Sequence, residues 1–474
     1  MKRRDFLLTS AAGIVGSKFA TPASAAAPCP PSPVSAAGQA GVTTQCVASS
    51  PGTAPAWFVS LPERVWTDVA GGSAYSGSAF QRGARLSDVA PSPYTYGNSQ
   101  DSIIVPWTGG CSLQNRGEYI KACEGGHTDG SDNGVYALLL KTATPYWSRI
   151  WGPNVNSGGN NLDTAGVYNV PFVAHGNGAP CTAHGWYSRV CSEGAGGTNE
   201  RIWLLMTNEG ESGCWTTDAW SIPRAALGAG VTDPALWMYH GRQWPSVPGG
   251  APGSSFGYQN GPHAFDSVAN QIMSGADFAI NNGIVRIDVA TCVAAGKQAA
   301  SGGAVPGSTQ YDIGDNTAWE NAWSVVTTNT NPRCWIVGST DNNLLYVFNL
   351  QSPTSGARTK SITGGSISAT SGLGAAYHDG VNKIVVGGAA GTQGSLTSNI
   401  YTIAIPSDPW NATSGFTMST IAPAGGSLSQ VASFQGSYGA FQMIRDMGNG
   451  QACLVLHCRD VTLPTYVYKL PVAF

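Results

Sequence analysis

One unit recurs along the chain and limits the folds open to it. A turn rich in Asn or Asp is followed by a short apolar strand with a large residue at its centre. The copies are Asp132-Asn133-Gly134-Val135-Tyr136-Ala137-Leu138, Thr217-Asp218-Ala219-Trp220-Ser221-Ile222 and Asn282-Gly283-Ile284-Val285-Arg286-Ile287. Asn342-Asn343-Leu344-Leu345-Tyr346-Val347-Phe348, Ser398-Asn399-Ile400-Tyr401-Thr402-Ile403 and Thr465-Tyr466-Val467-Tyr468-Lys469-Leu470 complete the set. The centres, residues 136, 220, 286, 346, 401 and 468, follow one another at intervals of roughly 55–85 residues. Another apolar run precedes each copy, as in Ile103-Ile104-Val105, Ile202 to Leu205, Gln271 to Met273, Cys334 to Val337, Ile384 to Val386 and Cys453 to Val455. In the first copy a further strand, Glu118 to Cys123, comes between the two.

Repeats of this length, each a small antiparallel sheet, are the sequence signature of β-propeller blades. The expected fold is all-β, a single propeller of six blades, with a seventh possible inside the long second unit. A stacked pair of β-sandwiches is the alternative. The composition agrees with an all-β chain. Only 11% of the 474 residues are charged, against roughly 25% in an ordinary soluble domain, while 62 Gly and 15 Trp are present. Scarce Lys and Glu exclude a helical bundle or coiled coil. Balanced charge, 24 basic against 27 acidic residues, argues against a nucleic-acid partner, which requires clustered cations.

The ends of the chain suggest how a ring would close. The last repeat stops on a third-strand motif, Tyr466 to Leu470, with nothing after it to form a fourth strand. Near the start, Trp57 to Leu61 and Val65 to Val69 read as an orphan outer strand. Pairing the two would hide both sheet edges. On this reading residues 55–474 are the propeller, residues 26–54 a Pro-, Ala- and Ser-rich linker, and residues 1–25 a targeting segment. The segment MKRRDFLLTS resembles a bacterial twin-arginine export signal, with Arg3-Arg4-Asp5-Phe6-Leu7 as its core and Ala23-Ser24-Ala25 as the cleavage position. Its apolar run is too short and interrupted to span a membrane. The resemblance implies a periplasmic or extracellular protein, and a monomer is expected.

An oxidising compartment permits disulfides, and all 11 Cys lie beyond the cleavage position. The odd number leaves at least one outside any intramolecular pair. Cys111 with Cys123 could close a hairpin and Cys181 with Cys191 a loop. Cys453 and Cys458, five strand steps apart, would be separated by roughly 16 Å and cannot pair within one strand.

Two units carry a further likeness. Gly125-Gly126 before Tyr136 with Trp147 beyond, and Gly387-Gly388 before Tyr401 with Trp410 beyond, resemble the kelch repeat. There the paired Gly ends the second strand, Tyr sits on the third and Trp opens the fourth. In such propellers the loops entering the inner strands share one face with the loops between second and third strands, and ligands bind there. Ala183-His184-Gly185-Trp186-Tyr187-Ser188 aligns with Pro262-His263-Ala264-Phe265-Asp266-Ser267, which puts His184 and His263 at equivalent inner-strand entrances. His127, in a second-to-third-strand loop, falls on the same face, beside Asp129, Glu209, Asp277, Asp341 and Arg459.

A rim of imidazoles, carboxylates and a guanidinium suits a polar or anionic glycan, with Trp186, Tyr187 and Tyr258 available to stack on sugar rings. Propeller lyases of acidic polysaccharides are a distant likeness. β-Elimination requires a base at the sugar C5 proton, an acid at the leaving oxygen and a cation on the uronate carboxylate. His184 or His263 would be the base, Tyr187 or Tyr258 the acid, and Arg459 or His127 the carboxylate partner, with Asp129, Glu209 and Trp186 also contacting substrate. No cofactor motif is present, although a divalent metal held by His is possible. The alternatives are a non-catalytic kelch-like module that binds glycan or protein, and a copper oxidase of the galactose-oxidase type. Tyr377-His378 resembles the latter's Tyr-His pair but lies too far along its strand. Sialidase boxes, GxSxG, HExxH and phosphate-binding loops are absent. The Asp129 to Leu140 stretch begins like a calcium loop but has Leu140 where the bidentate Glu belongs.

Overall fold

The computed structural model describes residues 53–70, 84, 86–89, 109–122, 134–152, 173–174, 180–181, 189–192, 200–205, 218–243, 262–275, 283–299, 303–312, 323–338, 343–367, 373–390, 395–396, 398–426, 428, 438–457, 464–472 and 474. The expected export signal and nearly all of the expected linker lie outside these residues, as does the strand expected at Ile103 to Val105.

Six four-stranded antiparallel sheets follow one another along the chain. Blade 1 comprises Cys111–Leu113, Glu118–Ala122, Val135–Leu139 and Tyr146–Trp151. Blade 2 comprises Arg189–Ser192, Arg201–Leu205, Asp218–Pro223 and Met238–Arg242. Blade 3 comprises His263–Asp266, Gln271–Gly275, Gly283–Asp288 and Ser308–Asp312. Blade 4 comprises Trp323–Val326, Cys334–Gly338, Leu344–Asn349 and Ala357–Ser361. Blade 5 comprises Gly374–His378, Lys383–Gly387, Ile400–Ala404 and Thr417–Ile421. Blade 6 takes Phe441–Ile444, Cys453–Leu456 and Tyr466–Lys469 from the end of the chain and its outer strand, Trp66–Asp68, from the beginning. Each inner strand packs on that of the next blade, and the sixth packs on the first. The fold is a six-bladed β-propeller.

Burial follows from that geometry. A blade is covered on both faces by its neighbours, so its second strand is a continuous apolar run rather than an alternating one. Cys334–Gly338 and Cys453–Leu456 are buried at every residue. Large aromatics fill the wedge that widens outward between blades. Trp151 and Trp237 meet edge to face, 5.8 Å apart, between blades 1 and 2. Trp323 packs with Tyr377 and Tyr401 between blades 4 and 5. Each such side chain stabilises by roughly 2–3 kcal/mol through burial alone.

The closure is the pairing of Trp66–Asp68 with Tyr466–Lys469, in the register Trp66 to Tyr468 and Asp68 to Tyr466. Trp66 is 3% exposed; its ring lies 5.0 Å from that of Tyr468, and its indole N–H donates to the Ser398 carbonyl at 3.0 Å. The residues ahead of this strand differ from expectation. Trp57 to Leu61 does not extend the outer strand, because Ala56–Ser60 forms one turn of helix. Pro55 holds φ at −59° and offers its carbonyl to the Val59 N–H at 3.0 Å, which starts that turn. Both Trp57 and Phe58 are thereby buried side by side. The Trp57 indole donates to the carbonyls of Leu140 and Thr142 in blade 1. At the other end Lys469 Nζ donates to the Val59 and Leu61 carbonyls, which a helix C-terminus leaves unsatisfied. Ala54, assigned to the linker from the sequence, is buried in the same cluster.

The cysteines correct another expectation. Cys111 bonds to Cys191, not to Cys123, and Cys191 therefore does not pair with Cys181. The two partners stand on inner strands of successive blades, which abut at the ring centre despite a sequence separation of 80. Proximity along the chain favoured hairpin partners, whereas the ring brings the starts of consecutive repeats together. Among the described residues Cys292, Cys334 and Cys453 are free and buried.

Two outcomes follow. Deleting residues 465–474 should abolish the cooperative melting transition, and Trp66→Ala should cost about 3–5 kcal/mol in denaturant unfolding. An unchanged melting curve in the deletion would show that the ring does not depend on its clasp. Replacing Cys111 and Cys191 by Ser should lower stability by roughly 4–5 kcal/mol, since the bond closes a long loop of the unfolded chain. Equal unfolding midpoints with and without reductant would contradict this.

Candidate functional site

The strand order gives the ring two unlike edges. At the entry edge the inner strands begin, and there the second strands hand over to the third. Connections 123–134, 152–188, 206–217, 243–262 and 457–465 all start and finish on that edge. They carry His127 and Asp129, then His184, Trp186 and Tyr187, then Glu209, Tyr258 and Arg459 in turn. All of these residues, with Asp277 and Asp341, lie outside the described part of the chain. His263 is the one sequence candidate that the structure describes.

His263 is the first residue of the inner strand of blade 3, half-buried, paired with Ser274 of the second strand. Two local devices hold it there. The Gly275 N–H donates to the Pro262 carbonyl at 3.0 Å, so the ladder continues past the strand end. Ser274 is fully buried and donates to Gln243 Oε1 at 2.6 Å, tying the last turn of blade 2 to this position.

The register shows which residue of blade 2 stands level with His263, while His184 lies outside the described residues. His263 opposes the next-to-last residue of its second strand. In blade 2 that position is Leu204, and its partner is Arg189. The same rule gives Ser324 opposite Val337, Ala375 opposite Val386 and Gln442 opposite Val455. Arg189, His263 and Ser324 therefore stand at one level on neighbouring inner strands. Counting back from the second strand, rather than matching the histidines, would have found Arg189.

The opposite, exit edge is stitched by ion pairs across blade boundaries. Arg224 forks onto Glu118 with bonds of 2.7 and 2.8 Å, and Arg116 pairs with Glu200, both between blades 1 and 2. Arg333 reaches both oxygens of Asp266 at 2.5 and 2.6 Å between blades 3 and 4. Arg445 donates to Asp379 at 2.8 Å between blades 5 and 6. Bidentate pairs of this kind fix orientation as well as charge. These eight charged groups hold neighbouring blades together.

Several histidines are also structural. His457 Nδ1 lies 2.9 Å from Thr465 Oγ1, which in turn accepts the Trp147 indole N–H at 2.8 Å across the blade 6–blade 1 boundary. His378 ends the inner strand of blade 5, and its ring meets Phe474 edge to face. The neighbouring Tyr377 hydroxyl donates to Asn382 Oδ1 at 2.6 Å. Tyr377 and His378 thus face different neighbours. Among the described residues no three His, Cys, Asp or Glu are grouped to hold a metal. Nor is any described helix long and apolar enough to cross a membrane.

No protein-family model matches the chain, and no curated protein matches it in sequence. The kelch likeness thus rests on its two motifs, and the second departs from the pattern. Tyr401 is on a third strand, but Trp410 lies before the outer strand, its ring under the Arg358 guanidinium at 4.0 Å. Solved structures with similar folds include a protein of unknown function from Bacteroides thetaiotaomicron. It is 10% identical, with a TM-score of 0.38 over 77% of this chain and 70% of that one. The major allergen Mala s 1 of Malassezia sympodialis is 11% identical, with a TM-score of 0.37 over 78% and 93% of the two chains. Virginiamycin B lyase from Staphylococcus aureus is 10% identical, with a TM-score of 0.32 over 78% and 96%.

Burial lowers the His378 pKa from its ordinary value, the nearby Asp379 opposing that shift and Arg445 adding to it. The folded chain therefore binds this proton more weakly than the unfolded one, and stability should fall as pH drops below about 6.5. His378→Gln should flatten the pH dependence of the melting temperature between about pH 6.5 and pH 5. An identical slope in wild type and variant would remove His378 as its source.

Proposed function

We propose that the chain is an exported propeller that acts on an acidic polysaccharide at the entry edge, cleaving it by β-elimination. What supports this reading is the strand connectivity. Every connection that bears a candidate His, Tyr, Trp or Arg leaves from one edge, while at the other edge four described ion pairs tie blade to blade. His263 is the base candidate, with His184 as the alternative. Tyr187 or Tyr258 protonates the leaving oxygen. Arg189, one blade from His263 at the same level, joins Arg459 and His127 as a partner for the uronate carboxylate.

In the reaction the base takes the C5 proton, the C4–oxygen bond breaks toward the leaving sugar, and the acid protonates that oxygen. A cation near the carboxylate acidifies the C5 proton by stabilising the charge that develops on the uronate. Export through the twin-arginine route would bring the protein to its substrate.

The test is incubation with a panel of acidic polysaccharides, followed by the ultraviolet absorbance of an unsaturated uronate. His263→Ala and Arg189→Met should each lower the rate at least about 100-fold, with circular dichroism unchanged. Ala375→Ser, at the equivalent level in blade 5, should be neutral. Binding without absorbance would make the protein a glycan-binding module, and neither binding nor absorbance would end the glycan reading. Replacing Arg3 and Arg4 by Lys should leave the precursor in the cytoplasm; normal processing would refute the export signal.

A further inference from the structure

The third repeat has an arginine where the others carry an aromatic ring, and the exchange changes one blade boundary. Of the residues at the centres of the third strands, Tyr136, Trp220, Tyr401 and Tyr468 are buried, whereas Arg286 and Tyr346 are half-buried. Both of these face the boundary between blades 3 and 4. Arg286 is paired with Met273 across the ladder, and Met273 packs in the core of that boundary with Trp335 and Phe348. Tyr346 packs against the same cluster, as does Tyr311 from the outer strand of blade 3. Tyr311 is half-buried too, so the rings that close the wedge at other boundaries leave this one partly exposed.

The three side chains all have polar tips. The Arg286 guanidinium lies 5.3 Å from the centre of the Tyr311 ring, a cation–π contact. A guanidinium held over a ring face keeps the N–H donors of its own plane for a planar, forked acceptor such as a carboxylate. Among the described residues Arg286 makes no side-chain hydrogen bond or ion pair. Asp288, two residues along the strand, accepts hydrogen bonds from Thr291 and Gln271, which lower its pKa ahead of the smaller pull of Arg286.

The registers set the height of this patch. Tyr346 is opposite Val337 and Val337 is opposite Ser324, so Tyr346 lies in the row of blade 4 that stands level with His263. Neighbouring strands lie about 4.8 Å apart, so Tyr346 stands roughly 10 Å outward from Ser324, a span of about two sugar rings. In blade 3 Tyr311 is opposite Ile284, and Ile284 is opposite Gly275, one step nearer the entry edge than Ser274. The patch therefore lies on the entry side, outward from His263 and separate from it.

Resting on the polysaccharide reading above, we propose that this patch is an outer subsite for a further acidic sugar of the same chain. Arg286 takes the carboxylate and Tyr346 lies against the ring face. The subsite takes no part in bond cleavage; it sets the length of chain that the protein prefers.

The test uses the full chain and oligouronates of increasing length. KM and kcat are read from the ultraviolet absorbance of the product, or Kd from calorimetry where the oligomers bind uncleaved. Arg286→Gln and Tyr346→Ala should each raise KM or Kd about 10-fold on a hexamer, with no change on the shortest oligomer recognised and none in kcat. Arg286→Tyr restores the residue type of the other repeats, which secures the fold, and should show the same loss on the hexamer. An unchanged hexamer constant in both Arg286 variants, or an equal rise on short and long oligomers, would overturn the subsite while leaving the entry-edge reading in place. A wild type that neither binds nor cleaves any of these oligomers would end both.

Discussion

The ring rests on a single exchange of backbone hydrogen bonds between the two ends of the chain, Trp66–Asp68 against Tyr466–Lys469. A blade buries its faces only against neighbours, so an open array would expose two apolar faces as well as an unpaired strand edge. With the clasp in place, every inner strand has a neighbour on both sides. The surrounding contacts reinforce the same seam. Trp57, Lys469 and the Trp147–Thr465–His457 chain each join residues far apart in sequence across the blade 6–blade 1 boundary.

The other boundaries are built from apolar contact plus a few directed polar bonds. Apolar burial supplies most of the energy but is non-directional, so it sets no angle between blades. The Arg224–Glu118 fork and the Arg333–Asp266 pair do. Because they sit on the exit edge, they leave the entry edge to the connections that carry the sugar-binding and acid–base candidates.

The candidate residues come from separate blades. His263 is positioned by the ladder of its own strand and by Gln243 from the blade before it. Arg189 and Ser324 share its level only because successive inner strands abut. This follows from ring geometry, and a polar residue on one inner strand acquires its neighbours through blade-to-blade packing.

The repeats, the all-β class, the six units and the outer-strand clasp were legible in the amino-acid sequence, because turn residues and apolar runs act locally and recur. The Trp57 to Leu61 turn was not, since a single Pro and two adjacent buried aromatics outweighed strand propensity once blade 1 offered carbonyls to Trp57. Nor was the Cys111–Cys191 bond, nor the standing of Arg189 beside His263. Sequence by itself determined what each blade is made of. Tertiary structure alone decided which residues of different blades meet, because closing the ring makes neighbours of strands separated by scores of residues and fixes their level by backbone pairing.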